Sequence, residues 1–220
     1  MTRLTLHLAG KAGLKWCNEQ VSLHHYLHSP VDPRCSPVAY HIRYGDEPTG
    51  CLIFGRPEST KCNGWYGSVS DVATGACRIT RWQVLNLARV WLHPDLQYGG
   101  RHYVKNAASW CVSQSLRRVV FDYLMERAVV WMEEPYEIRE VLSYCDTRVH
   151  TGALYRACNF RLERANDRGI ETYVRPVRHL THTERTAIGK RSMESERSRR
   201  LRAERAVQGY RQHVLFEEAL

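Results

Sequence analysis

The chain lacks an apolar run long enough to cross a membrane, and residues 1–10 lack a basic segment followed by an apolar one. We therefore expect neither a membrane span nor a secretory leader. Lysine is scarce, so arginine supplies most of the formal net charge of +9. A guanidinium suits phosphate oxygens, which favours a polyanionic partner, although many basic proteins bind none.

The eight cysteines form no Cys-x-x-Cys pair and are scattered along 220 residues. A chain of this length does not need disulfides to be stable, so we expect reduced, mostly buried thiols in an intracellular protein. Hydrophobic residues make up 43% of the sequence, which predicts a packed globular body. The sequence leaves both a monomer and a homo-oligomer open.

Hydrophobic patterning predicts an alternation of strands and helices. Strands are expected at 4–8, 37–43, 50–55, 84–92, 140–144 and 170–174, and helices at 11–28, 103–127 and 151–158. Residues 57–81 read as a long insertion or loop, and a basic, helical tail follows from 181 to 220. The order indicates a mixed α/β domain over residues 1–180, with a central sheet flanked by helices, and it resembles the acetyltransferase-like (GNAT) arrangement.

A Gly-Gly turn follows the strand at 84–92. Gln97, Gly99, Gly100 and Arg101 resemble the acyl-coenzyme A loop of acetyltransferases, whose backbone N–H groups bind phosphate. The match is partial, because His102 stands where a small residue is expected. An ordinary turn between a strand and a helix explains the same residues equally well.

A histidine cluster precedes Pro30. His24, His25, Tyr26 and His28 offer imidazole and phenol groups, which suit iron or zinc. His24 and His28 would share a face if the helix continued to residue 28. A polar helix end with hydrogen-bonded histidines is the alternative, and the spacing by itself favours it.

The segment Ser143-Tyr144-Cys145-Asp146 ends a predicted strand, and Tyr155 follows on a short helix. A carboxylate and a phenol brought together at a sheet edge can serve as base and acid, or as paired oxygen ligands. The alternative is that Asp146 caps a helix and Tyr155 packs in the core.

These residues resemble the signature of the phage Mom DNA-modification family. Further pieces match that family in the same order along the chain, over about 21–163: His25-Tyr26 with Ser29, the hairpin residues 50–57, Leu87 to Val90 with Arg89, and Asn106 to Trp110 with Ser109. The loop between Asp146 and Tyr155 is one residue shorter than the family pattern, and residues 57–81, 95–105 and 121–135 resemble insertions.

The resemblance implies an enzyme that converts adenine in double-stranded DNA to N6-(carbamoylmethyl)adenine, which shields phage DNA from restriction in the host cytoplasm. It also implies His25, Tyr26 and Asp146 as iron ligands, and Arg89, Ser109 and Tyr155 as further active-site residues beside Asp146. Modification inside a duplex requires an extruded base, for which Tyr26, Trp65, Tyr66 and Trp91 are candidate stacking partners, with Trp65-Tyr66 expected to be exposed.

Two other functions remain open from the sequence. An acetyl-coenzyme A-dependent N-acetyltransferase would use the Gln97 to Arg101 loop and no iron. A non-catalytic DNA-binding protein with a structural zinc is the third class, which the scattered cysteines disfavour. The Arg-rich residues 185–211 would either follow DNA phosphates or form a solvated helix with glutamate partners.

Overall fold

The computed structural model describes residues 4–59, 64–127, 137–194, 197 and 200. Its strands are β1 (Leu4–Ala9), β2 (Val38–Tyr44), β3 (Glu47–Gly55), β4 (Gly64–Gly67), β5 (Cys77–Thr80), β6 (Val84–Leu92), β7 (Glu140–Asp146), β8 (Arg161–Ala165) and β9 (Ile170–Pro176). Its helices are α1 (Lys11–His24), α2 (Val69–Ala73), α3 (Ala107–Leu116), α4 (Val119–Arg127) and α5 (Ala153–Ala157).

Seven strands form one mixed sheet in the order β1-β2-β3-β6-β7-β9-β8, and β4 and β5 form a small parallel pair. Within the large sheet, β6 and β7 are parallel and the other pairs are antiparallel. The predicted fold class is confirmed in its architecture, a mixed α/β domain with a central sheet flanked by helices.

The parallel pair at the centre is short. Val84 to Asn86 on β6 pair with Glu140 to Leu142 on β7, and there the ladder ends. Beyond that point β6 stays with β3 as far as Leu92, while β7 stays with β9 as far as Asp146. The two central strands therefore separate toward their carboxyl ends and leave a gap in the sheet.

Helix α1 packs on one face of the sheet. Its Cys17 and Val21 join Cys51, Ile53 and Trp91 in one buried cluster. On the opposite face, the Tyr40 phenol donates to the Asp122 carboxylate at 2.7 Å, and the Arg118 guanidinium donates to the same oxygen at 2.6 Å. The buried bond from Tyr40 attaches the first turn of α4 to β2, and Arg118 supports the same carboxylate.

The segment 57–81 differs from the predicted loop. It contains β4, α2 and β5, and Ser68 and Asp71 form a capping box at the start of α2. Four-residue strands are too short to show periodicity, which is why the pattern missed them. Trp65 and Tyr66 are buried with Val84, Leu142 and Val174, so the expected exposure of the Trp65-Tyr66 pair is wrong.

Three other features differ from the sequence prediction: two helix boundaries and one strand. The predicted helix 103–127 is two helices, with a break at Arg117 and Arg118. Helix α1 ends at His24 because His25 adopts an extended conformation, so His24 and His28 are not on one helical face. Strand β8 was not predicted, since every one of its residues is exposed and no alternation marks it.

The chain divides into two compact units, one of residues 1–122 and 136–179 and the other of 123–135 and 180–220. In the second unit, residues 182–194 are helical and begin with a Thr181–Glu184 capping box. Most of the Arg-rich segment 185–211 beyond residue 194 lies outside the described residues. Within the described part, no helix is long and apolar enough to cross a membrane. The seven described cysteines are free and buried, and Cys62 lies outside that part.

Candidate functional site

The gap between β6 and β7 is bridged by one side chain at the point where the ladder ends. The Ser143 hydroxyl on β7 donates to the Leu87 carbonyl on β6 at 2.8 Å, and it lies 3.0 Å from the Tyr155 phenol oxygen. Ser143 is 1% exposed. A hydroxyl can accept as well as donate, so this single buried group connects both strands and the phenol.

Tyr155 is positioned by α5. Helix α5 begins after Gly152, whose φ of 71° favours glycine, and a Cβ at this position would lie 2.2 Å from the Tyr173 hydroxyl. The Tyr155 phenol oxygen also lies 3.3 Å from the Tyr144 carbonyl oxygen, and its ring stacks on Tyr173 with centroids 5.0 Å apart. Burial raises the pKa of Tyr155 to about 12, so the phenol keeps its proton at neutral pH.

Asp146 ends β7 and is held by Arg148. The Arg148 guanidinium donates to both carboxylate oxygens at 2.9 Å and 2.6 Å, and the Arg148 backbone N–H donates at 3.0 Å. These bonds lower the pKa of Asp146 to about 2. A carboxylate that weakly attracts a proton is a poor general base, which disfavours the base role considered from the sequence.

The His25-Tyr26 turn follows α1 and faces the same gap. Arg89 fastens this turn, because its guanidinium donates to the Ser29 hydroxyl at 3.0 Å and to the Ser29 carbonyl at 3.3 Å. The Tyr26 ring meets the His150 ring edge-on at 4.9 Å. Burial and the nearby negative charge of Asp146 raise the pKa of Tyr26.

His25 is neutral in this environment. Burial, and then the positive charge of Arg89, lower its pKa to about 4. The Leu27 backbone N–H donates to His25 Nδ1 at 3.2 Å, so the neutral ring carries its proton on Nε2. His25 is therefore a hydrogen-bond donor rather than a base.

The proposed iron ligands do not fit a metal in this arrangement. Among the described residues, no group of three or more His, Cys, Asp or Glu is arranged to hold an ion. A metal on Nε2 of His25 would move the proton to Nδ1 and break the bond from Leu27, and the Asp146 carboxylate is already paired with Arg148. The Tyr26 phenol is the third proposed ligand, and the two groups that would bind the metal with it, His25 and Asp146, are already engaged.

The predicted coenzyme A loop lies beyond the end of β6. Gln97 Nε2 donates to the Leu92 carbonyl at 2.6 Å, and Gly100 is tightly packed, since a Cβ there would lie 2.3 Å from the Pro94 carbonyl oxygen. The N–H groups of Gly100, His102, Tyr103 and Val104 all donate to carbonyls inside the loop or its flanks. A phosphate at this loop would have to bind Gly99, Arg101 or other groups, and its binding stays a prediction.

Ser109 and Trp91 are the two remaining candidates, and within the described part of the chain neither makes a hydrogen bond or ring contact with Ser143 or Tyr155. The Ser109 hydroxyl donates to the Asn106 carbonyl at 3.1 Å, and the Ser109 carbonyl accepts from the Cys158 thiol at 3.4 Å, which places the residue beside the end of α5. Trp91 is 9% exposed and stacks on His24 with centroids 5.2 Å apart. The predicted roles of Ser109 in catalysis and of Trp91 in base stacking stay predictions.

The structure thus brings His25, Tyr26, Arg89, Asp146 and Tyr155 to one gap from four separate segments. Ser29 was part of the matched motif without a stated role, and sequence reasoning singled out none of Arg148, His150 and Asn86, which complete this region. The two-residue spacing of Asp146 and Arg148 was visible in the sequence, but it indicated no site because many such pairs are solvated.

Comparisons with known proteins add little to this picture. No model of a known protein family matches the chain, and no curated protein matches it. Among solved structures, an N-acetyltransferase from Staphylococcus aureus Mu50 is 12% identical, with a TM-score of 0.46, over 80% of this chain and 100% of that one. A Bacillus subtilis acetyltransferase in complex with CoA is 12% identical, with a TM-score of 0.42, over 81% of this chain and 100% of that one.

The acylhomoserine lactone (AHL) synthase LasI is also similar, at 12% identity and a TM-score of 0.44, over 86% of this chain and 95% of that one. Likenesses this distant carry no argument about activity. The chemistry has to be inferred from the gap itself.

Proposed function

We propose that the chain is a group-transfer enzyme that modifies an amine nitrogen in the gap between β6 and β7. The observation that carries the proposal is the convergence of a protonated phenol, a carboxylate, a neutral imidazole and a guanidinium on an opening in the centre of the sheet. Catalytic groups from separate segments that meet in a sheet opening are typical of enzyme sites.

Tyr155 is the proton donor of this proposal. Its phenol stays protonated below about pH 12 and can give that proton to a leaving group. Asp146 remains a carboxylate and accepts an N–H of the incoming amine, while Arg89 acts through Ser29 to keep the His25-Tyr26 turn in place. Neither Asp146 nor His25 takes the amine proton in this scheme, so we assign that proton to water.

Acyl transfer from acetyl-coenzyme A is the version that the GNAT-like architecture favours. Coenzyme A, when bound, supplies the acyl group as a thioester. Among the described strands, the edge of β6 beyond Asn86 has no partner on the β7 side, which leaves a strand edge for an extended ligand. Gly99 and Arg101 are the loop residues left to bind its phosphates.

The test is direct. Purified, metal-free protein is incubated with acetyl-coenzyme A and a panel of amines, and free coenzyme A and acetylated products are measured by mass spectrometry. We expect transfer to at least one amine, and loss of it in Tyr155→Phe. Absence of product with folded protein and bound coenzyme A would reject acetyl transfer.

Modification of adenine in double-stranded DNA is the second candidate function. It is favoured because His25, Tyr26, Arg89, Asp146 and Tyr155, which carry the Mom-like resemblance, all reach one gap. The exocyclic amine of adenine is also a nitrogen nucleophile. This candidate predicts a mass shift of deoxyadenosine in DNA from cells that express the protein, absent with Asp146→Ala. An unchanged nucleoside profile beside positive acetyl transfer would select the first candidate.

A further inference from the structure

Asn86 lies at the floor of the gap, on the last rung of the β6–β7 ladder. It pairs with Leu142 on β7 and with Gly55 on β3. Paired residues in a sheet point to the same face, and residues two apart on a strand share that face. Asn86 therefore shares a face with Leu142, Tyr144 and Asp146.

Arg89 joins the same face by a different route. Between Ile53 and Phe54 the β3–β6 register shifts, and Arg89 is opposite Ile53. Ile53 lies two residues before Gly55, so it points the same way as Gly55 and Asn86. The irregularity at Ala88 thus puts Asn86 and Arg89, three residues apart, on one side of the sheet, where simple alternation would separate them.

The carboxamide of Asn86 is buried without a partner for its oxygen. The residue is 9% exposed, and Oδ1 has no hydrogen bond to any of the described residues. A buried carbonyl oxygen without a donor destabilises a fold, so in native proteins such a group usually meets a bound water or a ligand. Gly55, which is paired with Asn86 on β3, has no side chain and so supplies no donor.

Both carboxylates that β7 contributes to this face are paired with a guanidinium, Glu140 with Arg78 and Asp146 with Arg148. The hydroxyls of Tyr66 and Tyr144 are 3.3 Å apart on this face, and the Asp146 carboxylate is neutralised by Arg148. Arg89 adds a guanidinium along β6. An alkyl ammonium ion would meet positive charge here, whereas a neutral N–H group would not.

We infer that Asn86 binds the substrate, with its carboxamide oxygen accepting an N–H from a neutral, planar nitrogen group such as an amino-heterocycle or a carboxamide. A carboxamide offers an acceptor and donors side by side, which pairs with a group that has the complementary edge. The inference deepens the proposed function and rests on it, because the bound nitrogen group is the one modified or lies next to it.

The first experiment measures stability and needs no activity. Asn86→Leu has nearly the same shape and removes the unpaired oxygen, so we expect the Tm to rise by about 2–4 °C. The control is Ser115→Ala, because Ser115 is fully buried on α3 and its hydroxyl donates to Val112 O at 2.8 Å. Its Tm should fall or stay level. A lower Tm in Asn86→Leu would show that the protein itself satisfies the oxygen, and would overturn the inference.

The second experiment measures binding by NMR. The side-chain amide signals of Asn86 are assigned by their loss in Asn86→Leu, and the wild-type protein is titrated with 2′-deoxyadenosine, nicotinamide or ethylamine. We expect one of the planar probes to shift the Asn86 signals, and its affinity to fall at least tenfold in Asn86→Leu but not in Ser115→Ala. Unmoved signals with both planar probes, or a shift with ethylamine alone, would overturn the inference. Binding without any turnover would instead reject the proposed function.

Discussion

The Ser143 hydroxyl and the Tyr155 phenol oxygen are 3.0 Å apart where the two central strands separate. Ser143 also holds the Leu87 carbonyl across the gap. If Ser143 positions the phenol for proton transfer, a substitution of Ser143 lowers kcat only through its effect on Tyr155. The relationship is therefore testable by combining the two changes.

We expect Tyr155→Phe to lower kcat by about 10²-fold or more, because the proton donor is lost. Ser143→Ala should lower kcat less, and in the Tyr155→Phe background it should have little further effect. Steady-state kinetics of the four proteins measure this, with Ser115→Ala as the control for a buried serine. Independent, multiplicative losses from the two changes would contradict a positioning role for Ser143.

Asp146 should make stability depend on pH in the acid range. Its pKa falls from an ordinary 3.8 to about 2 in the folded protein, so the ion pair with Arg148 stabilises the fold above about pH 4. That contribution is lost as the pH falls from about 4 to about 2, where the folded carboxylate takes up its proton.

The measurement is chemical unfolding of wild type and Asp146→Asn across pH 2–7. The difference in unfolding free energy between wild type and Asp146→Asn should be largest at neutral pH and approach zero toward pH 2. In an Arg148→Ala background, Asp146→Asn should have a smaller effect at pH 7. If that difference in unfolding free energy grows in acid, the pKa of Asp146 is raised rather than lowered.

Gly152 should tolerate no side chain. Alanine would face both the left-handed φ of 71° and the Tyr173 hydroxyl at 2.2 Å, so we expect Gly152→Ala to destabilise the fold by roughly 2–4 kcal/mol. Gly75 has nearly the same φ, 74°, and open space around it. Gly75→Ala should therefore cost only about 1 kcal/mol, and equal losses for the two variants would remove the argument for a clash.

Arg89 should be intolerant of lysine. Its guanidinium makes two bonds to Ser29 and one to the Ala88 carbonyl, a fork that a single ammonium does not reproduce. We expect Arg89→Lys to lower kcat/KM by about tenfold or more, with Ser29→Ala, which loses only one of the bonds, lowering it less. Arg168→Lys, at an exposed turn, is the control. Unchanged kinetics in Arg89→Lys would show that the His25-Tyr26 turn needs no such fastening.

Much of the sheet was readable from the sequence. The apolar run 84–92 and the β-rich segments 37–43 and 50–55 correspond to β6, β2 and β3, because side-chain alternation and turn residues are local properties. The polar, short and fully exposed elements were not readable. Strand β8 buries no side chain, and β4 and β5 are held by the contacts of Trp65 and Tyr66 with residues far along the chain.

For the site, the sequence by itself determined which residue types were available and the order in which they occur. Only the tertiary structure decided their states: Asp146 is committed to Arg148, His25 is neutral with its proton on Nε2, and Asn86 is buried with an unpaired oxygen. These are properties of burial and of neighbours that lie elsewhere in the chain, or that become neighbours only when a strand ends and turns. Local sequence does not encode the desolvation that sets a pKa, nor the separation of β6 from β7 that opens the gap.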